Sequence, residues 1–195
     1  DRIREAGEEQ RTSDEHFRRM AAVAVGVLAM LLAIANLGGA SATKETINNN
    51  ILASDTYAFY QAKNIRQTDN QLAIDEAETL LLTQLGLAPE ARAQIQQGID
   101  RYKATVARYE SDPSTGEGKK ELLEKALDFT ARREHAQKQT PNFEYAAALL
   151  QIGIVLGSVS IVAGSRQLLG LGLGLGVIGA LLALNGFLLA FALPG

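Results

Sequence analysis

Three stretches of the chain carry no Asp, Glu, Lys or Arg: Met20 to Thr43, Tyr145 to Ser165, and Gln167 to Gly195. A helix needs about 20 predominantly apolar residues to cross roughly 30 Å of hydrocarbon, and each stretch reaches that length. Runs of this kind exclude a simple soluble domain, whose helices set an apolar stripe against a charged face. The bulk figures, 47% hydrophobic and 21% charged over 195 residues, hide the pattern because the charges are gathered elsewhere. The expectation is an all-α integral membrane protein. A charged N-terminal segment occupies 1–19, transmembrane helices occupy 20–40, 142–164 and 167–193, and an extramembrane helical domain occupies 41–141.

The charge that remains is balanced, with 19 Lys+Arg against 22 Asp+Glu and no clustered basic excess, so no nucleic-acid partner is expected. There is no Cys and there are only two histidines, His16 and His135, which removes thiol chemistry and most metal-ligand sets. His135 beside Glu134 lacks a second ligand, Asp75, Glu76 and Glu78 read as a solvated helix face, and no Ser, His and Asp arrangement has a nucleophile-elbow context. The chain is therefore expected to have no catalytic residue, metal or cofactor, and not to be an enzyme. Gly174-Leu175-Gly176-Val177-Ile178-Gly179 spells GxGxxG, but a dinucleotide site needs a strand before it and a soluble helix after it. Here the motif lies inside a charge-free run.

Arg18-Arg19, an apolar stretch and Ala40-Ser41-Ala42 imitate a signal peptide, yet the stretch from Met20 to Leu37 exceeds the roughly 7–15 residues of a signal core. It reads as a retained span. The chain opens on Asp1 rather than Met, so its native N-terminus is expected to begin earlier. Arg2, Arg4, Arg11, Arg18, Arg19 and Arg166 flank one side of the spans, while Lys44, Arg132, Arg133 and Lys138 flank the other. The excess predicts a cytoplasmic N-terminus and the central domain outside.

The central domain reads as helices at about 45–85, 89–110 and 119–139, without strand alternation. Along the first, Ile47, Ile51, Ser54, Ala58, Gln61, Ile65, Thr68 and Leu72 recur at alternating fours and threes, the spacing of a coiled-coil seam, with polar residues among them. Gly86-Leu87-Ala88-Pro89 ends this helix and starts the next. Ser111 to Gly118 is a turn-rich break, and Thr140-Pro141 is expected to close the third helix. The segment leaves the membrane and returns to it, so its helices make an even number of passes. A long hairpin, a coiled-coil-like stalk, satisfies this most simply; a four-helix bundle with a break near Asp69-Asn70 is the alternative. Two helices alone bury little apolar area, which predicts a homo-oligomer.

Small residues four apart let membrane helices approach closely. Gly153 and Gly157 form such a pair in the second span, and Gly172 and Gly176 in the third; Gly26 lies on a similar stripe with Ala22, Ala29 and Ala33. These are the candidate transmembrane packing residues. Gln151 and Asn185 are isolated polar side chains at depth, read as interhelical hydrogen bonders. Asn49, Asn50, Tyr57 and Tyr60 are candidate juxtamembrane oligomer contacts, through side chains that bond across an oligomer axis; anchoring of Tyr57, Phe59 and Tyr60 at the lipid headgroups is the alternative.

Several stretches resemble a bacterial membrane-protein family that carries a domain-of-unknown-function label. They are Asn49-Asn50 and Ser54-Asp55-Thr56-Tyr57-Ala58-Phe59-Tyr60-Gln61-Ala62-Lys63; Arg108-Tyr109-Glu110-Ser111 to Gly116-Glu117-Gly118-Lys119-Lys120-Glu121-Leu122; and Leu149-Leu150-Gln151-Ile152 with Asn185-Gly186-Phe187-Leu188-Leu189. The resemblance covers nearly the whole chain. It implies a three-span bacterial membrane protein with a helical domain between the first and second spans, and it implies no activity; with the charge bias above, the expected location is the bacterial inner membrane with the central domain periplasmic. The Gly-Leu alternation from Gly170 to Gly176 is richer in glycine than that family's pattern.

The leading expectation is a non-enzymatic, homo-oligomeric scaffold or accessory subunit whose partners are the lipid bilayer, other copies of itself or a larger membrane complex. A pore component with Asn36, Gln151 and Asn185 on a lumen, and an envelope sensor, are the alternatives.

Overall fold

The computed structural model describes residues 2–191 and 193, with side chains from residue 12 onward. Arg2, Arg4 and Arg11, part of the charge argument above, have side chains outside this range. Among the described residues the fold is all-α, with four helices and no strand: α1 (Arg2–Thr83), α2 (Pro89–Glu110), α3 (Lys119–Ala163) and α4 (Arg166–Leu188). Within α1, α3 and α4 lie stretches long and apolar enough to cross a membrane.

The breaks between helices fall where local chemistry places them. Proline at the first turn of α2 needs no hydrogen-bond partner there. The α2–α3 break turns at Gly116, whose φ of +66° only glycine takes without strain. Ser165 caps α4 by accepting from the Leu168 N–H at 3.5 Å.

Two expected boundaries are absent. The first span and the first central helix are one helix, because α1 continues through 41–44. The third central helix does not close at Thr140-Pro141 but carries on to Ala163 with Pro141 inside it. A proline withholds one backbone donor, here the one that would serve the Gln137 carbonyl, and the helix runs on through it with side-chain bonds to the carbonyls on either side. Thr140 Oγ1 donates to the Ala136 carbonyl at 3.4 Å, and Asn142 Nδ2 donates to that of Lys138 at 3.1 Å. Gly38 and Gly39, poor helix formers in isolation, are held in α1 by the Phe143 ring of α3 seated against them.

The chain divides into two compact units: residues Asp1–Thr46 with Glu134–Gly195, and Ile47–Arg133. In the first unit, burial follows a repeat of seven. Ala21, Leu28, Ala35 and Ala42 are buried on α1; Phe143, Ala146, Leu150, Gly153, Gly157 and Ser160 on α3; Gly172, Gly176, Gly179, Ala183 and Gly186 on α4. Alternating threes and fours define the stripe along which helices supercoil left-handedly. Leu28, Ala35, Ala146, Leu150 and Ala183 form the core cluster, with Leu31, Leu32, Ile154 and Leu182 packed against it.

In the second unit, α1 runs antiparallel to α2 and the start of α3. Lys103 pairs with Glu78, Gln67 bonds to the Val106 carbonyl, Lys119 to Gln67, and Arg133 to Asn50. The stripe of α1 that faces its neighbours is not the one the sequence singles out. It runs through Asn49, Ala53, Tyr60, Lys63, Gln67, Asn70 and Ile74, all buried or half-buried, whereas every position from Ile47 to Leu72 in the expected seam is exposed. The unit's buried hydrophobic side chains are few: Ala53, Ile74, Ile99, Leu122 and Ala126.

Candidate functional site

In the second unit the polar inner stripe is held by a network around the α2–α3 break. Gln67 donates from Nε2 to Glu110 Oε2 at 3.1 Å and accepts at Oε1 from Lys119 Nζ at 2.7 Å. Lys119 lies 3.5 Å from Glu110 and above the Tyr60 ring. Lys63 sits 5.2 and 5.3 Å from the ring centres of Phe59 and Tyr109 and 3.6 Å from Glu117. Cation–π contact and ion pairing thus let two lysines be largely covered. The two stretches of the resemblance that lie around residues 49–63 and 108–122 meet in this network.

The break itself is tied by a carboxylate. Glu121 accepts from the Ser111 hydroxyl at 2.6 Å and from the Asp112 N–H at 3.2 Å. The Ser111 bond holds the Glu121 carboxyl below its ordinary value, and Ser114 and Thr115 do the same for Asp112. Gln67, and then Lys119, lower that of Glu110. A Cβ on Gly118 would collide with the Glu121 carboxylate and the Asp112 N–H, so the loop closes on a bare backbone.

In the first unit the expected packing glycines do their work inside the chain. A Cβ on Gly153 would lie 2.7 Å from the Gly172 carbonyl oxygen, and one on Gly172 would lie 2.8 Å from that of Gly153. Gly157 faces Val25 at 2.6 Å, and Gly176 is in contact with Leu28. These glycines bring α3 to α4 and both to α1. Gly26 is different, since a Cβ there would meet nothing within 4 Å and its residue is exposed.

The two intramembrane polar candidates also part company. Asn185 is buried, donates from Nδ2 to Asn142 Oδ1 at 2.6 Å and to the Phe191 carbonyl at 2.8 Å, and accepts from the Phe191 N–H at 3.2 Å. It both joins α4 to α3 and fastens the chain beyond the end of α4. Gln151 is exposed, and with Asn36 it borders a groove of about 390 Å³ whose wall includes Gly39, Ala40, Ala147 and Ala148.

The four juxtamembrane candidates divide as well. Asn49 and Tyr60 lie on the inner stripe, while Asn50 and Tyr57 border the exposed one. Sequence reasoning missed Asn142 and Phe143. Phe143 is 2% exposed, packs against Gly38, Gly39 and Gly186, and meets the Phe187 ring edge-on at 4.9 Å. The signal available for it was the repeat of seven, in which Phe143 lies between Ala136 and Leu150 on α3. Among the described residues, no three His, Asp or Glu side chains gather closely enough to hold a metal ion.

Residues 17–189 match the model of the family described as Domain of unknown function (DUF4337), and the chain belongs to that family. No curated protein and no solved structure matches the chain.

Proposed function

We propose that this DUF4337 member is a homo-oligomeric, non-enzymatic scaffold or accessory subunit of a membrane. In this reading α1, α3 and α4 span the bilayer, and residues 41–141 form a helical hairpin outside it. The observation that carries the reading is the outward surface of the first unit. Val23, Met30 and Leu37 on α1, Val155 and Val162 on α3, and Leu171 and Leu181 on α4 are all more than half exposed. In water, apolar side chains left open along three helices would be a liability that monomeric soluble proteins rarely carry; against acyl chains such a surface is ordinary. Arg166, whose Nη2 donates to Ser13 Oγ at 3.2 Å, shares an end of the first unit with the start of α1, so Arg18, Arg19 and Arg166 count together in the charge bias that favours a cytoplasmic N-terminus.

The homo-oligomer is supported by what the chain leaves open. Asn36 and Gln151 point into a groove walled by small residues, the surface on which another membrane helix packs and exchanges hydrogen bonds. A lumen built from Asn36, Gln151 and Asn185 together is disfavoured, because Asn185 spends its amide on Asn142 and Phe191. The test is the mass of the full chain in lipid nanodiscs. A defined multimer is expected; a monomer at every protein-to-lipid ratio overturns the reading.

A further inference from the structure

Helix α1 of the second unit carries two stripes of fours and threes on opposite faces, and the chain uses the more polar one. The inner stripe includes Asn49, Lys63, Gln67 and Asn70, and the unit's own helices cover it. The outer stripe has no charged residue, and its Ile47, Ile51, Ile65 and Leu72 are 57, 53, 61 and 58% exposed. A helix whose outer face met only water would reverse this order, with its charges outside and its branched aliphatics inside. The outer stripe is therefore a surface made to be covered.

We propose that residues 47–72 of α1 pair, parallel and in register, with the same segment of a second copy of this chain, along the uncharged stripe that begins at Ile47 and ends at Leu72. The proposal deepens the homo-oligomeric reading above and rests on it. The borders of the stripe identify the occupant. One border holds Asn50, Tyr57, Asn64 and Gln71; the other holds Asn48, Asp55, Ala62 and Asp69, with Glu76 next along it just past the end of the stripe. In a parallel two-stranded coil a residue on the first border faces the residue five positions on from the opposite border of the other strand. Asn50 then faces the partner's Asp55 and Asn64 the partner's Asp69, while Gln71, at the end of the pair, faces Glu76 just beyond it on the other copy. Each is an amide donor set against a carboxylate acceptor. Gln71 already gives one N–H to Asp75 of its own helix at 3.1 Å, and its amide carries a second.

An antiparallel pair would instead set the acidic border against itself, a like-charge arrangement that is destabilising. Copies inserted in one membrane with one orientation are parallel in any case. Between the aliphatic layers, Ser54, Gln61 and Thr68 come to the axis, where polar side chains select register and strand number. The paired length is about 39 Å at 1.5 Å per residue.

The chain has no cysteine, so single cysteines in the full chain report the contact directly. In nanodiscs under mild oxidation, Ser54→Cys and Thr68→Cys should form intermolecular disulfides at least about tenfold faster than Arg66→Cys, since a disulfide needs Cα atoms within about 7 Å. Arg66 lies outside the stripe. A multimer by mass in which Ser54→Cys and Thr68→Cys stay reduced, or in which Arg66→Cys reacts as fast, overturns this interface and leaves the homo-oligomer standing. A wild-type monomer overturns both.

Discussion

The Gly153–Gly172 contact permits a sharp test because its two sides are backbone. Gly153→Ala would place a methyl 2.7 Å from the Gly172 carbonyl oxygen, about 0.7 Å inside the 3.4 Å at which ordinary contact begins. A flexible side chain could turn away from it. A carbonyl in the middle of α4 cannot, so α3 and α4 must part, and Leu28, which lies 3.4 Å from the same point, loses its seat. Overpacking of this size costs about 1–3 kcal/mol. Against it stands the gain of about 0.8–1.0 kcal/mol for replacing Gly by Ala within a helix. Gly26→Ala supplies the control. It has the same intrinsic gain and nothing within 4 Å of the new methyl, so it is expected to be neutral or mildly stabilising.

The difference between these two variants isolates the steric part, expected at about 1–3 kcal/mol. Reversible unfolding of the full chain in mixed micelles, followed by circular dichroism, measures it. Adding Gly172→Ala to Gly153→Ala should cost less than the sum of the single changes, because either one already separates the same two backbones. Equal stabilities for Gly153→Ala and Gly26→Ala would refute the close approach. Gly153→Leu with Gly157→Leu is expected to unfold the first unit, so loss of a multimer in that variant would report folding, not the interface between copies.

Asn185→Leu should destabilise by about 1–3 kcal/mol by leaving Asn142 Oδ1 and the residue 191 backbone unpaired, and Asn142→Leu added to it should recover part of the loss in a double-mutant cycle. The second unit should weaken in acid. Glu110, Asp112 and Glu121 are held below their ordinary values of 4.5, 3.8 and 4.5, so the stability they contribute is complete above those values and is lost as pH falls through the lower folded ones. Thermal melts of the full chain between pH 7 and 3 should show this decline, and Glu121→Gln should flatten it; an unchanged slope would remove the Ser111–Glu121 tie from the account. Lys103, raised by its bond to Glu78, acts in the opposite range: its contribution is complete below 10.5 and fades above it.

The helical architecture and the spacing of the apolar runs were legible because they are properties of windows of twenty residues. Helix continuity was not. Thr140-Pro141 reads as a stop in isolation, and the contact of Phe143 with Gly38, Gly39 and Gly186, which accompanies the passage of α3 through it, lies beyond any local rule. The glycine pairs were legible as packing residues, but whether they serve one chain or several depends on which helix lies opposite, and that is a property of the fold. Asn185 was legible as a hydrogen bonder, while its partner Asn142 lay hidden next to a residue read as a terminator.

That the chain itself covers the other stripe of α1 was illegible for a different reason. Hydrophobic spacing favours the stripe of Ile47, Ile51, Ile65 and Leu72, since burial of aliphatic area is the larger driving force. The chain buries the other stripe because partners on α2, on α3 and in the break between them convert its polarity into pairing: besides Phe59 of its own helix, Lys63 finds the Tyr109 ring and Glu117, and Gln67 finds Glu110 and Lys119. No spacing rule contains those partners, which stand about forty to fifty residues away in the chain. Once they are in place, the aliphatic stripe has no neighbour among the described residues of its own unit, and the free energy of covering it is left to an encounter between molecules. A folded unit that satisfies its polar face internally and leaves its apolar face open gives association a favourable gradient that folding has not used, which is the property a homo-oligomeric scaffold requires.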